Sequence, residues 1–403
     1  MKRYALFLMT MLLSLTAQAV VPHRPVLPEV PGYMILRGDC HIHTVFSDDT
    51  TWPTVRVDEA AFDGLDFIAI TDHCETRHQN MLKNGTFRSK EDGGKVDRNT
   101  SYEIAASAAK KYGIYVIHGT EITRGKCLFP GHFNALFIQD ANLICSESEK
   151  AAAEAEARGA NAVEVEEAAI MAGLKEARRQ GAYLQWNHPD WERQAQNETV
   201  WWPIHSRILE AGLMDGIEVV NHFTGFDKEA FGWVVEKKLN MTAGTDCHQP
   251  MFQLIDYEKG EYRPMTLAFV KEGCADTAAG LREAMDERRC CILAYDSMYG
   301  PQELLEAFAY AAMEINVTKQ TSKRINLSIK NKSSVPIILT KAPGSENIVY
   351  PRRIVLNAGE EMNWNIAALD TAQALPCEHP EVNFFVENFC SEPDKPIKIS
   401  YTF

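Results

Sequence analysis

The chain has 403 residues, of which 45% are hydrophobic and 24% charged. This length exceeds what one compact core usually holds, and the composition argues against disorder, so two domains are expected. A formal charge of −14, from 55 acidic against 41 basic residues, speaks against non-specific attraction to long nucleic acids.

Residues 1–19 stand apart. A basic start (Lys2, Arg3) is followed by an apolar run from Ala5 to Leu15 and then by Ala17-Gln18-Ala19. This pattern reads as a secretory signal cleaved near Ala19, which would export the protein to the periplasm or beyond the cell. The run is short for a bilayer span, and no later segment is long and apolar enough, so the mature chain is expected to lack a membrane span. Export would permit disulfides among the ten cysteines, and Cys377 with Cys390 is the best candidate pair.

From Gly32 to Tyr295, strand-like runs alternate with helical ones. Strands are expected at Met34–His41, Asp66–Thr71, Ile114–Glu121, His132–Ile138, Ala182–Asn187, Gly216–Val220 and Met241–Thr245. Amphipathic stretches such as Tyr102–Lys111, Val163–Arg179 and Lys228–Leu239 lie between them. Alternation of this kind implies an α/β fold with a parallel sheet, and its repetition suggests a barrel. Met265–Val270 and Cys290–Tyr295 would close this domain, placed at residues 20–302. The Ala- and Glu-rich stretch Ser146–Gly159 reads as a solvated helix or an insertion. Beyond residue 303, a helical stretch (Leu304–Met313) leads into alternating runs such as Arg324–Ile329, Val335–Lys341 and Val382–Val386, punctuated by Pro, Asn, Ser and Gly. This predicts a small antiparallel β-sandwich over 303–403.

The residues that carry chemistry gather at the predicted strand ends, where βα barrels place their active sites. His41 and His43 are two apart on a strand, so both imidazoles leave one face and can share a metal. Asp48 and Asp49 follow in the next loop. Ile70-Thr71-Asp72-His73, Gly119-Thr120-Glu121, Gly131-His132-Phe133-Asn134, Trp186-Asn187-His188-Pro189 and Gly244-Thr245-Asp246-Cys247-His248 complete the set. One strand-end histidine signifies little, but six polar clusters at six strand ends, each offering imidazole or carboxylate, point to a metal site, since buried charge without a partner is costly. One zinc takes about four protein ligands, so nine candidates imply two or three metals. Mixed His and carboxylate ligation suits zinc, manganese or iron without choosing between them. Cys40, Cys74 and Cys247 adjoin candidate histidines and, pointing to the other face, are expected to pack rather than ligate.

These motifs, HIHT, TDH, GTE, GHFN, NHP and GTDCH, resemble those of the PHP (polymerase and histidinol phosphatase) family and occur in its order from about Arg37 to Ala294. The resemblance implies a distorted seven-stranded βα barrel, up to three metals and phosphoester hydrolysis. It implies that His41, His43, Glu121 and Asp246 hold a first metal. Glu121 would bridge to a second, held with His132 and His188, and Asp48, His73 and His248 would hold a third. Asp49 is the alternative to Asp48, because the chain has Ser47-Asp48-Asp49 where the family usually has Ser-Asp-Gly.

The function expected is hydrolysis of small phosphomonoesters by a water deprotonated between the metals. His248 is a candidate general acid, and Arg77 and Arg124 are candidate phosphate-binding residues. Trp191, Trp201 and Trp202 would either wall the pocket or, the reading preferred, cover the barrel rim. The alternatives are a phosphodiesterase or nuclease on short oligonucleotides, and a non-catalytic metal-containing envelope protein whose C-terminal domain binds a partner.

Overall fold

The computed structural model describes residues 24–74, 97–123, 131–191, 199–274, 276–370 and 373–403. Arg77, Arg124 and the signal-like segment lie outside these residues. In chain order the first part comprises β1 (Tyr33–Ile42), α1 (Pro53–Phe62), β2 (Phe67–Ile70), α2 (Thr100–Ala109), β3 (Tyr115–Ile122), β4 (Phe133–Leu136), α3 (Ala141–Ala157), α4 (Ala162–Arg179) and β5 (Tyr183–Trp186). It continues with α5 (Pro203–Glu210), β6 (Gly216–Asn221), β7 (Gly225–Phe226), α6 (Lys228–Lys237), β8 (Asn240–Gly244), β9 (Met265–Lys271), α7 (Thr277–Asp286), β10 (Cys290–Ala294) and β11 (Ser297–Tyr299). The second part comprises α8 (Gln302–Ala312), β12 (Met313–Gln320), β13 (Arg324–Asn331), β14 (Ile337–Lys341), β15 (Ile348–Val349), β16 (Arg353–Leu356), β17 (Glu361–Ala368), β18 (Glu381–Glu392) and β19 (Lys395–Thr402).

The first part is built on a parallel-rich sheet that runs β9-β1-β2-β3-β4-β5-β6, with β8 on the far side of β6. β1–β2, β2–β3, β5–β6 and β6–β8 are parallel. Their strands are buried along nearly their whole length, as expected when helices cover a parallel sheet. β8 returns to β1 through one bridge, Ile42 to Cys247, and a hydrogen bond from Asp246 N to His41 O (2.8 Å). This single-bridge contact is not a full ladder, so a seven-stranded barrel is not established by the pairing.

The alternation breaks at β4, which is antiparallel to both β3 and β5. Only ten residues separate Ile122 from Phe133, fewer than the dozen or more that a parallel crossover needs. The reversal matters for the site. It brings the start of β4 to the same rim as the ends of its neighbours, so His132 stands level with Asn187, whose N donates to His132 O (2.9 Å).

The Ala- and Glu-rich stretch is the largely solvated helix that one of its two readings expected. It forms α3, capped where Asp140 accepts from Asn142 N, and it lays Ala152 and Ala155 against Val165 and Ala169 of α4. α4 begins with a reciprocal cap between Asn161 and Glu164 and ends in Arg178 and Arg179, both favourable to its dipole.

The C-terminal part is a sandwich of two antiparallel layers, β16-β14-β18-β19 and β12-β13-β17-β15. It is joined laterally to the first part, because β11 pairs in parallel with β18. Leu304, Leu305 and Phe308 of α8 belong to one apolar core that runs from Ile42 and Val57 to Trp364 and Val386.

The expected pair Cys377–Cys390 is not formed: both are free thiols, and the described disulfide is Cys74–Cys145. Cys377 precedes β18, while Cys390 lies about 30 Å along that strand from its start, beyond the reach of a disulfide. Among the described residues, no helix is long and apolar enough to cross a membrane.

Candidate metal centre

The site is assembled at the strand-end rim. The face of β1 that carries Asp39 also carries His41 and the following His43, while Cys40 and Ile42 turn into the apolar core. Asp39 lies below the cluster, fully buried, accepting from Thr245 N (3.0 Å), Thr245 Oγ1 (2.6 Å) and His41 N (3.1 Å) and paired with Arg263 (3.3 Å). It ties β1 to the end of β8 and sets the floor.

Above it, His41 Nε2 and His43 Nε2 face each other at 3.2 Å. Two nitrogens bound to one tetrahedral metal would sit about 3.4 Å apart. Asp246 Oδ1 is 3.3 Å from His41 Nε2 and 3.0 Å from His43 Nε2. Glu121 lies at the centre. Its carboxylate oxygens approach His41 (3.4 Å), His43 (3.6 Å), His73 (2.8 Å), His132 (3.2 Å) and His188 (3.4 Å). Asp48 approaches His73 (3.4 Å) and His248 (3.2 Å). All nine residues singled out from the sequence therefore meet in one place. The donor atoms of eight of them form close groups, His41, His43 and Glu121; Glu121, His132 and His188; and His43, Asp48, His73 and His248, and Asp246 adjoins the first through its contacts with His41 and His43.

Asp49 does not join them. It is turned into an ion pair with the buried Arg56, whose guanidinium also donates to Cys247 O (3.1 Å) and whose Nε donates to His43 O (3.0 Å). Arg56 thus fastens the end of β1 to that of β8, and Asp48 is left to face the cluster.

Partners outside the cluster orient the imidazoles. His41 Nδ1 donates to Glu218 (3.1 Å), His43 Nδ1 donates to Ser47 Oγ (3.2 Å), and His248 Nδ1 donates to Asp246 O (2.6 Å). Ser47 Oγ in turn donates to Asp72 (2.7 Å). Each bond favours a tautomer with Nε2 turned inward, whereas His73 and His132 turn Nδ1 toward Glu121. A further chain runs from Thr242 through Gln185 and Asn187 to Glu121, with bonds of 2.9, 3.0 and 2.9 Å.

Glu218 is the residue that sequence reasoning missed. It is fully buried on β6, accepts from His188 N (3.0 Å) and Asn221 Nδ2 (3.1 Å) as well as from His41, and joins His41 and His188 in a fourth donor group. Its signal in the sequence was one acid within the apolar run Gly216-Ile217-Glu218-Val219-Val220.

Two members of the cluster, His188 (φ 28°) and Asp246 (φ 52°), have left-handed backbones. Non-glycine residues held there carry strain, which tends to collect at functional sites. Cys74 is bonded to Cys145, and Cys40 and Cys247 are buried, so these cysteines pack rather than face the metal-binding groups. The three tryptophans do not act together. Trp191 lies by the site, its ring tilted against His132 at 5.0 Å and edge-on to His188 at 5.5 Å. Trp201 instead packs against Trp186 and Trp233, and Trp202 lies against that same apolar core.

The electrostatics are those of carboxylates and imidazoles crowded into one buried space, and, against the cost of burial, the carboxylates raise His41, His73 and His188 above the ordinary histidine range. Burial disfavours ionised Glu121, but the surrounding imidazoles outweigh it and hold this carboxyl well below its ordinary range. Asp48 and Asp246 are likewise depressed by facing histidines, against the cost of burial. Burial lowers His132 to about 4, keeping it neutral and able to ligate. Burial also opposes charge on His248, yet its bond to Asp48 and the charge of Asp246 push it up to about 9.

A solved two-domain protein from Bacteroides vulgatus ATCC 8482, containing a predicted PHP-like metal-dependent phosphoesterase, is 34% identical to this chain. The match covers 94% of this chain and 98% of that one, with a TM-score of 0.79. The chain belongs to this PHP-like family. Residues 312–402 match the family model for an Ig-like domain, DUF5001. A putative metal-dependent phosphoesterase from Bifidobacterium adolescentis ATCC 15703 (16% identity, 53% of this chain and 88% of that one, TM-score 0.37) and an amidohydrolase from Chromobacterium violaceum (16%, 64% and 97%, 0.35) are more remote. No curated protein matches.

Proposed function

We propose that this PHP-like protein is an exported metal-dependent phosphoesterase that hydrolyses small phosphomonoesters. The observation that carries the reading is Glu121 at the centre of converging imidazoles, with Asp48 and Asp246 closing the groups on either side. His41, His43, Glu121 and Asp246 would hold one divalent ion, Glu121, His132 and His188 a second, and Asp48, His73 and His248 a third, with zinc, manganese and iron all compatible. Bound there, such ions supply Lewis acidity toward phosphoryl oxygens and lower the pKa of water. The chain's own residues orient and protonate. Glu218, Ser47 and Asn187 fix the donors. His248, one-third exposed at the mouth, would protonate the departing oxygen when it is not engaged in holding the third ion. The return of β8 to β1 supports reading the sheet as a distorted barrel. The Cys74–Cys145 disulfide supports export, since such bonds persist in oxidising compartments.

The test is to measure bound metal on the purified mature chain and assay a panel of phosphomonoesters and diesters. Metal-dependent turnover of monoesters is expected. Activity that survives both chelation and His43→Ala would defeat the mechanism. Diester preference would move the assignment to a phosphodiesterase, and inactivity across the panel to a non-catalytic binding protein.

A further inference from the structure

The strands β6 and β7 form a short hairpin, pairing Val220 with Phe226 and Asn221 with Gly225. Its tip is bound directly to the metal cluster. Asn221 Oδ1 accepts from Phe223 N (2.9 Å), while Asn221 Nδ2 donates to Glu218 (3.1 Å) and Asp246 (3.3 Å). One side chain therefore fixes the tip against two carboxylates of the site. From behind, Phe226 stacks on Tyr299 at 4.3 Å, and Tyr299 pairs with Cys390 of the Ig-like domain. The hairpin is thus held both by the site and by the second domain.

What this support presents is the ring of Phe223. It is 52% exposed, and its centroid is 6.1 Å from that of His248, the most exposed histidine of the cluster. A lone exposed phenylalanine needs no explanation. An apolar ring set beside the outermost candidate ligand by a backbone tied to the site does call for one, since it offers a flat surface next to the place where an ester's leaving group would emerge. Trp191 provides a second aromatic face beside His132 and His188.

We propose that Phe223 is a specificity-determining residue, and that the site selects phosphoesters whose leaving group carries a flat, weakly polar ring that packs on it. The inference rests on the phosphoesterase reading and names its substrate class. The Ig-like domain serves this selection by bracing Phe226.

The experiment uses the metal-loaded full chain and two readouts. Calorimetry compares phenylphosphonate with methylphosphonate, neither of which is hydrolysed. Kinetics compares kcat/KM for phenyl phosphate with that for glycerol 2-phosphate. Wild type is expected to favour the phenyl member of each pair, and Phe223→Ala to reduce both ratios about tenfold, an ordinary cost for losing an aromatic contact. Phe223→Tyr should restore them. Adenosine 5′-monophosphate against ribose 5-phosphate separates the sources of the ring. A preference lost in Phe223→Ala assigns it to a nucleobase, and one confined to the phenyl compounds assigns it to an aryl alcohol. The inference is overturned if wild type shows no ring preference or if Phe223→Ala leaves it intact. Absence of turnover with a persisting phosphonate preference would refute the hydrolytic reading alone.

Discussion

At the scale of single residues, Glu218 is the most informative side chain, because it acts on the cluster from outside the set legible in the sequence. Removing its charge replaces the carboxylate acceptor of His41 with a weaker, neutral amide oxygen and sets an N–H group among the other donors that face it. Glu218→Gln is expected to weaken metal binding about 10–100-fold, the usual effect of losing such a partner, with the fold retained. Metal titration alongside circular dichroism checks this. Asp227 offers a separate test, away from the cluster. It caps α6 through Ala230 N, but burial and the nearby Asp190 raise it from 3.8 to about 7. The folded chain then holds a proton that the unfolded chain has lost. Stability from this group is present below pH 4 and falls as pH rises through 7. Asp227→Asn keeps the capping oxygen and removes the ionisation, so it should raise stability at pH 8 by about 2 kcal/mol and flatten the pH dependence of urea unfolding. Unchanged midpoints at pH 8 would show that Asp227 ionises without penalty.

At the scale of elements, β4 shows how connection length overrides pattern. Its sequence reads as one more strand of a parallel series, yet the short link from β3 reverses it, and this reversal delivers His132 to the rim. The helices obey more local rules. α4 starts on the reciprocal cap of Asn161 and Glu164, and Asn161→Ala should cost about 1 kcal/mol, seen as a lower Tm with bound metal unchanged. A Tm that does not move would mean that packing of α4 on α3, rather than its cap, sets its stability.

At the scale of the whole molecule, the two parts share a sheet edge at β11–β18 and a core through α8. Phe308 is fully buried and packs edge-on against Phe389. Truncating it should cost about 3–5 kcal/mol. Because the core is continuous, Phe308→Ala should lower a single calorimetric transition rather than release the Ig-like domain alone. Two resolved transitions would show instead that the domains unfold independently.

The sequence by itself marked the nine candidate residues that the fold brings together, because polar residues that follow or precede short hydrophobic runs are readable locally. His41, His43, His73, Glu121, His132, His188, Asp246 and His248 carry that local mark, while Asp48, in the loop after β1, was singled out by the resemblance. The α/β character and the β-rich C-terminal part were legible for the same reason. What only the tertiary structure decided depends on contacts distant along the chain. It chose Asp48 over Asp49, through Arg56 reaching from α1. It paired Cys74 with Cys145 across 71 positions, separated Trp191 from Trp201, and made Glu218 the partner of a histidine 177 residues away. Local propensity carries no information about which distant groups will share a buried space, and in this protein that sharing turns a list of ligands into a site.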